Sequence, residues 1–125
     1  MSQDIVADAL NQIMNARRIE KKKLEIKRYS KVLIKILEMM RKKEHIDFSL
    51  DEEARVLRVE IKKLNECRAI KPRYPVKNSE IEKYLRRFLP SRRFGSLVIS
   101  TNQGLIDQKK AYELKIGGSL IAYFY

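Results

Sequence analysis

Apolar residues recur at helical spacing along the start of the chain. Ile5, Val6, Ala9, Leu10, Ile13 and Met14 form one stripe, which predicts an amphipathic helix with its apolar face in the core and Ser2 as its N-cap. Residues 23–27 then alternate with a period of two, as a half-buried strand does. Ser30 is placed to cap a second helix, with Val32, Leu33, Ile36, Leu37 and Met40 on one face and Lys31, Lys35 and residues 41–43 largely outside it. The Met39-Met40 pair reads as core filling. Ile46, Phe48 and Leu50 alternate, residues 51–54 form a polar connection, and Leu57, Val59 and Ile61 share one side of a second β-type run, so a hairpin is predicted. The first seventy residues thus read helix, strand, helix, strand, strand, an order that lets helices cover one face of a small sheet.

The segment Ile70-Lys71-Pro72-Arg73-Tyr74-Pro75 is the natural boundary, because two prolines without backbone donors confine it to an edge strand or connector. Beyond it, Ser79 and Glu82 have the spacing of a capping box and open a short helix with Ile81, Leu85 and Phe88 inward, ending at Pro90. Residues 97–99 form an apolar strand, residues 102–104 turn the chain, and Asp107 caps a helix reaching about Leu114. Gly117-Gly118 then releases the chain into residues 120–125, an inner strand in which Tyr123, Phe124 and Tyr125 are core. The fold class is α+β with two small domains. Residues 1–70 form an N-terminal α/β domain, and residues 71–125 a mainly antiparallel β-rich domain with short helices.

Charge narrows the function. Lys and Arg outnumber Asp and Glu by 28 to 16, a formal net charge of +12 with a pI near 9.9. An acidic partner is implied: nucleic acid, an anionic membrane or an acidic protein. No apolar run approaches the roughly 18 residues a spanning helix needs, and the polar, acid-containing start is not a signal peptide, so a soluble cytoplasmic protein is expected. The charge is also segregated. Residues 17–43 hold 12 basic and 3 acidic residues and residues 71–93 hold 8 and 2, whereas residues 44–66 between them hold 4 and 7. Solvated helix faces produce some such segregation, but two basic blocks around an acidic one favour a functional basic surface.

Catalysis and cofactor binding find little support. A nucleophile would need a base beside it, and the only histidine, His45, falls at a predicted helix end, where a histidine serves the helix dipole. A single cysteine, Cys67, excludes an internal disulfide and leaves too few soft ligands for zinc. Glu52 and Glu53 read as solvated turn charges, and neither glycine-rich nucleotide-loop pattern occurs. No enzyme, metal, cofactor or small-molecule substrate is expected.

Nucleic acid is favoured positively. Ser100, Thr101 and Asn102 place three hydrogen-bonding side chains at the end of a strand, before Gly104, which can take the positive φ of a tight turn. Such a loop reaches bases, sugars or phosphates, although an ordinary self-bonded turn has the same composition. Gly117 and Gly118 read either as a helix C-cap or as close approach of backbone to a ribose-phosphate chain. Lys71, Arg73, Arg86, Arg87, Arg92 and Arg93 can meet phosphates, and Tyr74 offers a stacking surface or packs between the domains. A general nucleic-acid-binding module acting through charge alone remains the alternative.

Ser100-Thr101-Asn102-Gln103-Gly104, followed by Gly117-Gly118-Ser119-Leu120-Ile121 ahead of an aromatic C-terminus, resembles the small-subunit ribosomal protein S-eight family, called S-fifteen-a in eukaryotes. The resemblance runs almost end to end. It includes Ala7 to Leu10 with Asn15-Ala16, Ser30-Lys31-Val32, and residues 70–74; Leu89 to Arg92 with Phe94-Gly95 resemble its archaeal and eukaryotic cytosolic branch. The family usually has a hydroxyl residue where Asn102 stands, Gly-Tyr where Glu44-His45 stand, and a glycine in the hairpin connector at residues 51–54. The resemblance implies a structural constituent of the small ribosomal subunit, partnered by small-subunit ribosomal RNA and neighbouring small-subunit ribosomal proteins. It would bind the central domain of that RNA and support platform assembly. On this basis Ser100, Thr101 and Asn102 would read bases, Gly104 would shape their loop, Gly117 and Gly118 would lie beside the RNA, and Asn15, Ser30 and Lys31 would add contacts.

Overall fold

The computed structural model describes residues 4–91 and 94–125. The chain divides into two compact units, Met1–Cys67 and Arg68–Tyr125.

The first unit runs α1 (Ile5–Arg18), β1 (Lys23–Ile26), α2 (Lys31–Lys42), β2 (Ile46–Asp51) and β3 (Val56–Ile61). Its three strands are antiparallel in the order β1-β3-β2. Leu10, Ile13, Leu33, Ile36, Leu37 and Met40 from the helices, with Ile26, Ile46 and Leu57 from the sheet, are all under 2% exposed and form its core. The register puts Phe48 opposite Val59 and Asp47 opposite Glu60, so the sheet has an apolar face and a charged one.

Three details depart from the periodicity. Ser2 lies outside the described residues, and the N-cap of α1 is Asp4, whose carboxylate accepts a 3.0 Å bond from the Ala7 N–H. Val32 is 37% exposed, because the stripe of α2 is centred on Leu33, Ile36, Leu37 and Met40 and leaves Val32 on its rim. Leu50 is 38% exposed at the far end of edge strand β2.

Both helices of this unit close without glycine. After α2, the Glu44 N–H donates to Arg41 O and the His45 N–H to Met40 O, the paired bonds of a Schellman motif, and Glu44 sits at φ +64°. Glu20, at φ +59°, closes α1 in the same way through bonds to Arg17 O and from Lys21 to Ala16 O. The hairpin between β2 and β3 uses Arg55 at φ +54°.

The second unit contains β4 (Cys67–Val76), a 3₁₀ turn (Asn78–Glu80), α3 (Ile81–Phe88), β5 (Ser96–Thr101), β6 (Gly104–Ile106), α4 (Gln108–Leu114) and β7 (Gly118–Phe124). The sheet order is β4-β7-β5-β6, so β7 is an inner strand and the proline-containing β4 an edge. Ile70, Val76, Ile81, Leu85, Leu97, Ile99, Ala111 and Leu120 form the core. Gln108 is buried within it, accepting from the Leu97 N–H at 2.9 Å and donating to Gly95 O at 3.0 Å.

Here too the local reading needs correction. The box that opens the α3 region is shifted by two residues: the Lys77 N–H donates to the Glu80 carboxylate at 2.9 Å, ahead of the 3₁₀ turn, while Glu82 pairs with Arg86 at 3.3 Å. Residues 104–106, read as part of a turn and its exit, form strand β6. Helix α4 is capped by Asp107 and ends at Lys115, in the left-handed region at φ +57°, so the glycine pair is not its cap. Of the three terminal aromatics only Phe124 is fully buried; Tyr123 and Tyr125 are half-buried.

Candidate nucleic-acid interface

The turn between β5 and β6 is two residues long, because Thr101 pairs with Gly104 across Asn102-Gln103. Its shape is held by one hydroxyl. Thr101 Oγ1 donates to Gly104 O at 2.9 Å and accepts from the Gln103 N–H at 3.0 Å. Gly104 sits at φ +103°, outside the range open to other residues without strain. Thr101 therefore spends its proton and one lone pair on the loop itself. The exposed Asn102 side chain makes no hydrogen bond with the described residues, so its amide can donate and accept outward.

A bulge prepares the strands below this turn. Val98 pairs with Ala122, but Ile99 pairs with Leu120, leaving Ile121 as the extra residue. Without that shift Leu120 would stand opposite Ser100; with it, Ser119 does. Two half-buried hydroxyl residues thus face one another at this end of the sheet.

The glycine pair has a role that neither sequence reading anticipated. A Cβ on Gly118 would run into Ser100 O and come within 3.0 Å of Thr101 Cγ2, and one on Gly117 would run into Val76 O and come within 3.0 Å of Lys77 Cα. Each glycine lets the start of β7 approach the protein's own backbone. Asn78 completes the arrangement, donating from Nδ2 to Ala111 O at 2.9 Å and Ile116 O at 3.0 Å. The end of β4, the exit of α4, the start of β7 and the β5–β6 turn are thereby drawn into one cluster. Periodicity could not reveal Asn78; only its position just before a helix hinted at a capping role.

The remaining candidate residues are dispersed. Lys71 and Arg73 are exposed and Tyr74 half-buried on edge strand β4, with Tyr74 stacked on Tyr84 at 5.8 Å between ring centroids. In the first unit, Ser30 and Lys31 come together at the start of α2, where Ser30 Oγ accepts from the Leu33 N–H at 3.2 Å. No acidic residue balances Lys31 in the first turn of α2, so this helix start is electropositive. Asn15 lies exposed on α1 and accepts a long 3.5 Å bond from Arg18. Arg92 and Arg93 lie outside the described residues.

The residues considered for chemistry are structural. Cys67 is buried, its Sγ 3.7 Å from Leu10 O and its N–H directed at Met14 Sδ, and His45 Nδ1 lies 2.6 Å from Lys63 O. Glu52 and Glu53 are exposed in the β2–β3 turn.

Charge is concentrated in the second unit, where residues 68–125 carry 12 basic and 4 acidic residues, a net +8 of the total +12. A net positive charge of this size suits an anionic partner. The particular family follows from comparison: the family model described as "Ribosomal protein S8" matches residues 4–125, so the chain belongs to that family and has a structural, non-enzymatic role. It is 43% identical to "Small ribosomal subunit protein uS8" of Nanoarchaeum equitans (strain Kin4-M) and 37% identical to the protein of the same name from Thermoplasma acidophilum (strain ATCC 25905). Each alignment spans 129 positions and 100% of both chains.

Proposed function

We propose that the protein is a constituent of the small ribosomal subunit, in the cytoplasm, that binds the central domain of small-subunit ribosomal RNA and supports assembly of the platform. The observation that carries this reading is the β5–β6 turn, in which Thr101 fixes the backbone so that Asn102 is presented outward from a unit of net charge +8. The roles divide accordingly. Asn102 and Ser100 contact the RNA, Thr101 and Gly104 hold the loop, Gly118 lets β7 pass close beneath it, and Gly117 lets β7 meet the end of β4. Lys71, Arg73 and Tyr74 on β4, with Asn15, Ser30 and Lys31 in the first unit, add backbone contacts; Arg92 and Arg93 add charge. Other ribosomal proteins of the small subunit are its protein neighbours.

The test is binding to a fragment of the central domain at physiological salt. Asn102→Ala is expected to weaken it by about 1–3 kcal/mol while leaving the salt slope nearly unchanged, whereas Arg73→Ala lowers that slope by about one. Thr101→Val, which keeps the side chain's shape but removes both bonds to the turn, should weaken binding comparably to Asn102→Ala. Equal affinity for random duplex DNA would overturn this reading in favour of charge-only binding.

A further inference from the structure

Six of the chain's ten aromatic side chains form one file in the second unit. Successive ring centroids are 5.8 Å apart from Tyr74 to Tyr84, 6.5 Å from Tyr84 to Phe88, 5.4 Å from Phe88 to Tyr123, 6.3 Å from Tyr123 to Tyr125 and 5.9 Å from Tyr125 to Phe94. The first four rings are nearly parallel, with interplanar angles of 27°, 12° and 26°. A file serving the core alone would be covered. This one is not: five of its rings are half-buried and Phe94 is 48% exposed.

Cations border it. The exposed Arg87 guanidinium lies 5.8 Å from the Tyr74 ring and 5.5 Å from that of Phe88, and the exposed Lys83 Nζ lies 5.7 Å from the Tyr84 ring. Lys83 and Arg87 are four residues apart on α3, as are Tyr84 and Phe88, so the helix carries a cationic row beside an aromatic one. The exposed Arg73 precedes Tyr74 on β4.

We propose that this face takes unpaired nucleotides of RNA, whose bases stack on the aromatic file while their phosphates meet Arg73, Lys83 and Arg87. Charge complementarity selects the occupant. Positive charge set beside half-buried aromatic rings matches a strand that is anionic along its backbone and aromatic along its bases. An acidic protein segment would satisfy the cations and leave the rings unused. The surface deepens the ribosomal RNA reading and rests on it for biological context, but it involves residues other than the β5–β6 turn. It requires single-stranded nucleotides, because a base inside a duplex shows no face to stack upon.

The test uses the full chain and an oligoadenylate of about eight nucleotides. The chain has no tryptophan, and five of its six tyrosines lie in the second unit, so quenching of tyrosine fluorescence reports stacking directly. Oligoadenylate should quench the fluorescence and bind more tightly than a duplex of the same length. Tyr84→Leu and Arg87→Ala should each weaken binding roughly five- to hundred-fold, while Tyr84→Phe, which keeps the ring, should bind like the parent. Arg87 is exposed, so its variant keeps the test decisive even if Tyr84→Leu fails to fold. Parental binding by Arg87→Ala, equal binding of the duplex, or displacement of oligoadenylate by polyglutamate at equal charge would overturn the proposal. The choice of ligand separates the two readings. Failure of the ribosomal RNA fragment to bind while oligoadenylate binds would count against the ribosomal reading alone.

Discussion

The two units differ in where they use glycine. All four glycines of the chain, Gly95, Gly104, Gly117 and Gly118, lie in the second unit, and the first has none. Among its described residues the first unit nevertheless contains three left-handed positions, filled by Glu20, Glu44 and Arg55. Left-handed geometry can therefore be met by ordinary residues at a cost of about 1–2 kcal/mol each, provided the side chain has room in solvent. What ordinary residues cannot meet is contact between backbones. At Gly117 and Gly118 a single added carbon collides with a carbonyl oxygen, and that oxygen belongs to a sheet that cannot yield. Two of the four glycines thus sit where backbones converge, Gly118 beneath the candidate loop and Gly117 against the end of β4.

Substitutions that move residues across this divide test it. The largest effect is expected for Gly118→Ala, which should destabilise the second unit by about 3 kcal/mol, seen as an early loss of tyrosine signal in urea. Gly104→Ala should cost less, about 1–3 kcal/mol, because its Cβ would enter open space and the penalty is confined to a strained φ. If the two alanine variants were equally stable, the distinction between collision and conformational strain would fail. The smallest effect should have the opposite sign. Glu44→Gly should stabilise the first unit by about 0.5–1 kcal/mol, read as slower amide exchange in α2.

Elements whose apolar periodicity matches their packing were legible in the sequence. α1, α2 and strand β3 each bury one clear stripe, and Asp107 marks the start of α4. The α+β class follows from their order. Less legible were features created by neighbours distant in sequence. β6 is three residues long and exists because Thr101 pairs with Gly104; nothing in Gly-Leu-Ile alone signals a strand. The opening of α3 was misplaced because a 3₁₀ turn over Asn78–Glu80 lies ahead of it. The position of the candidate loop was readable from Asn102 to Gly104, but the engagement of Thr101 was not, since a threonine beside a turn has the same sequence whether its hydroxyl faces inward or outward. The carbonyls facing Gly117 and Gly118 come from residues about 40 and 18 positions upstream, which no local pattern encodes.

The two bonds of Thr101 Oγ1 bear on the thermodynamics of recognition. A loop that must organise itself around its target surrenders conformational freedom as it binds. Here that freedom has already been given up when the chain folds. Association through this turn should therefore show a smaller entropic penalty than the same contacts made from a mobile loop, and loosening the turn should quicken dissociation more than it slows encounter.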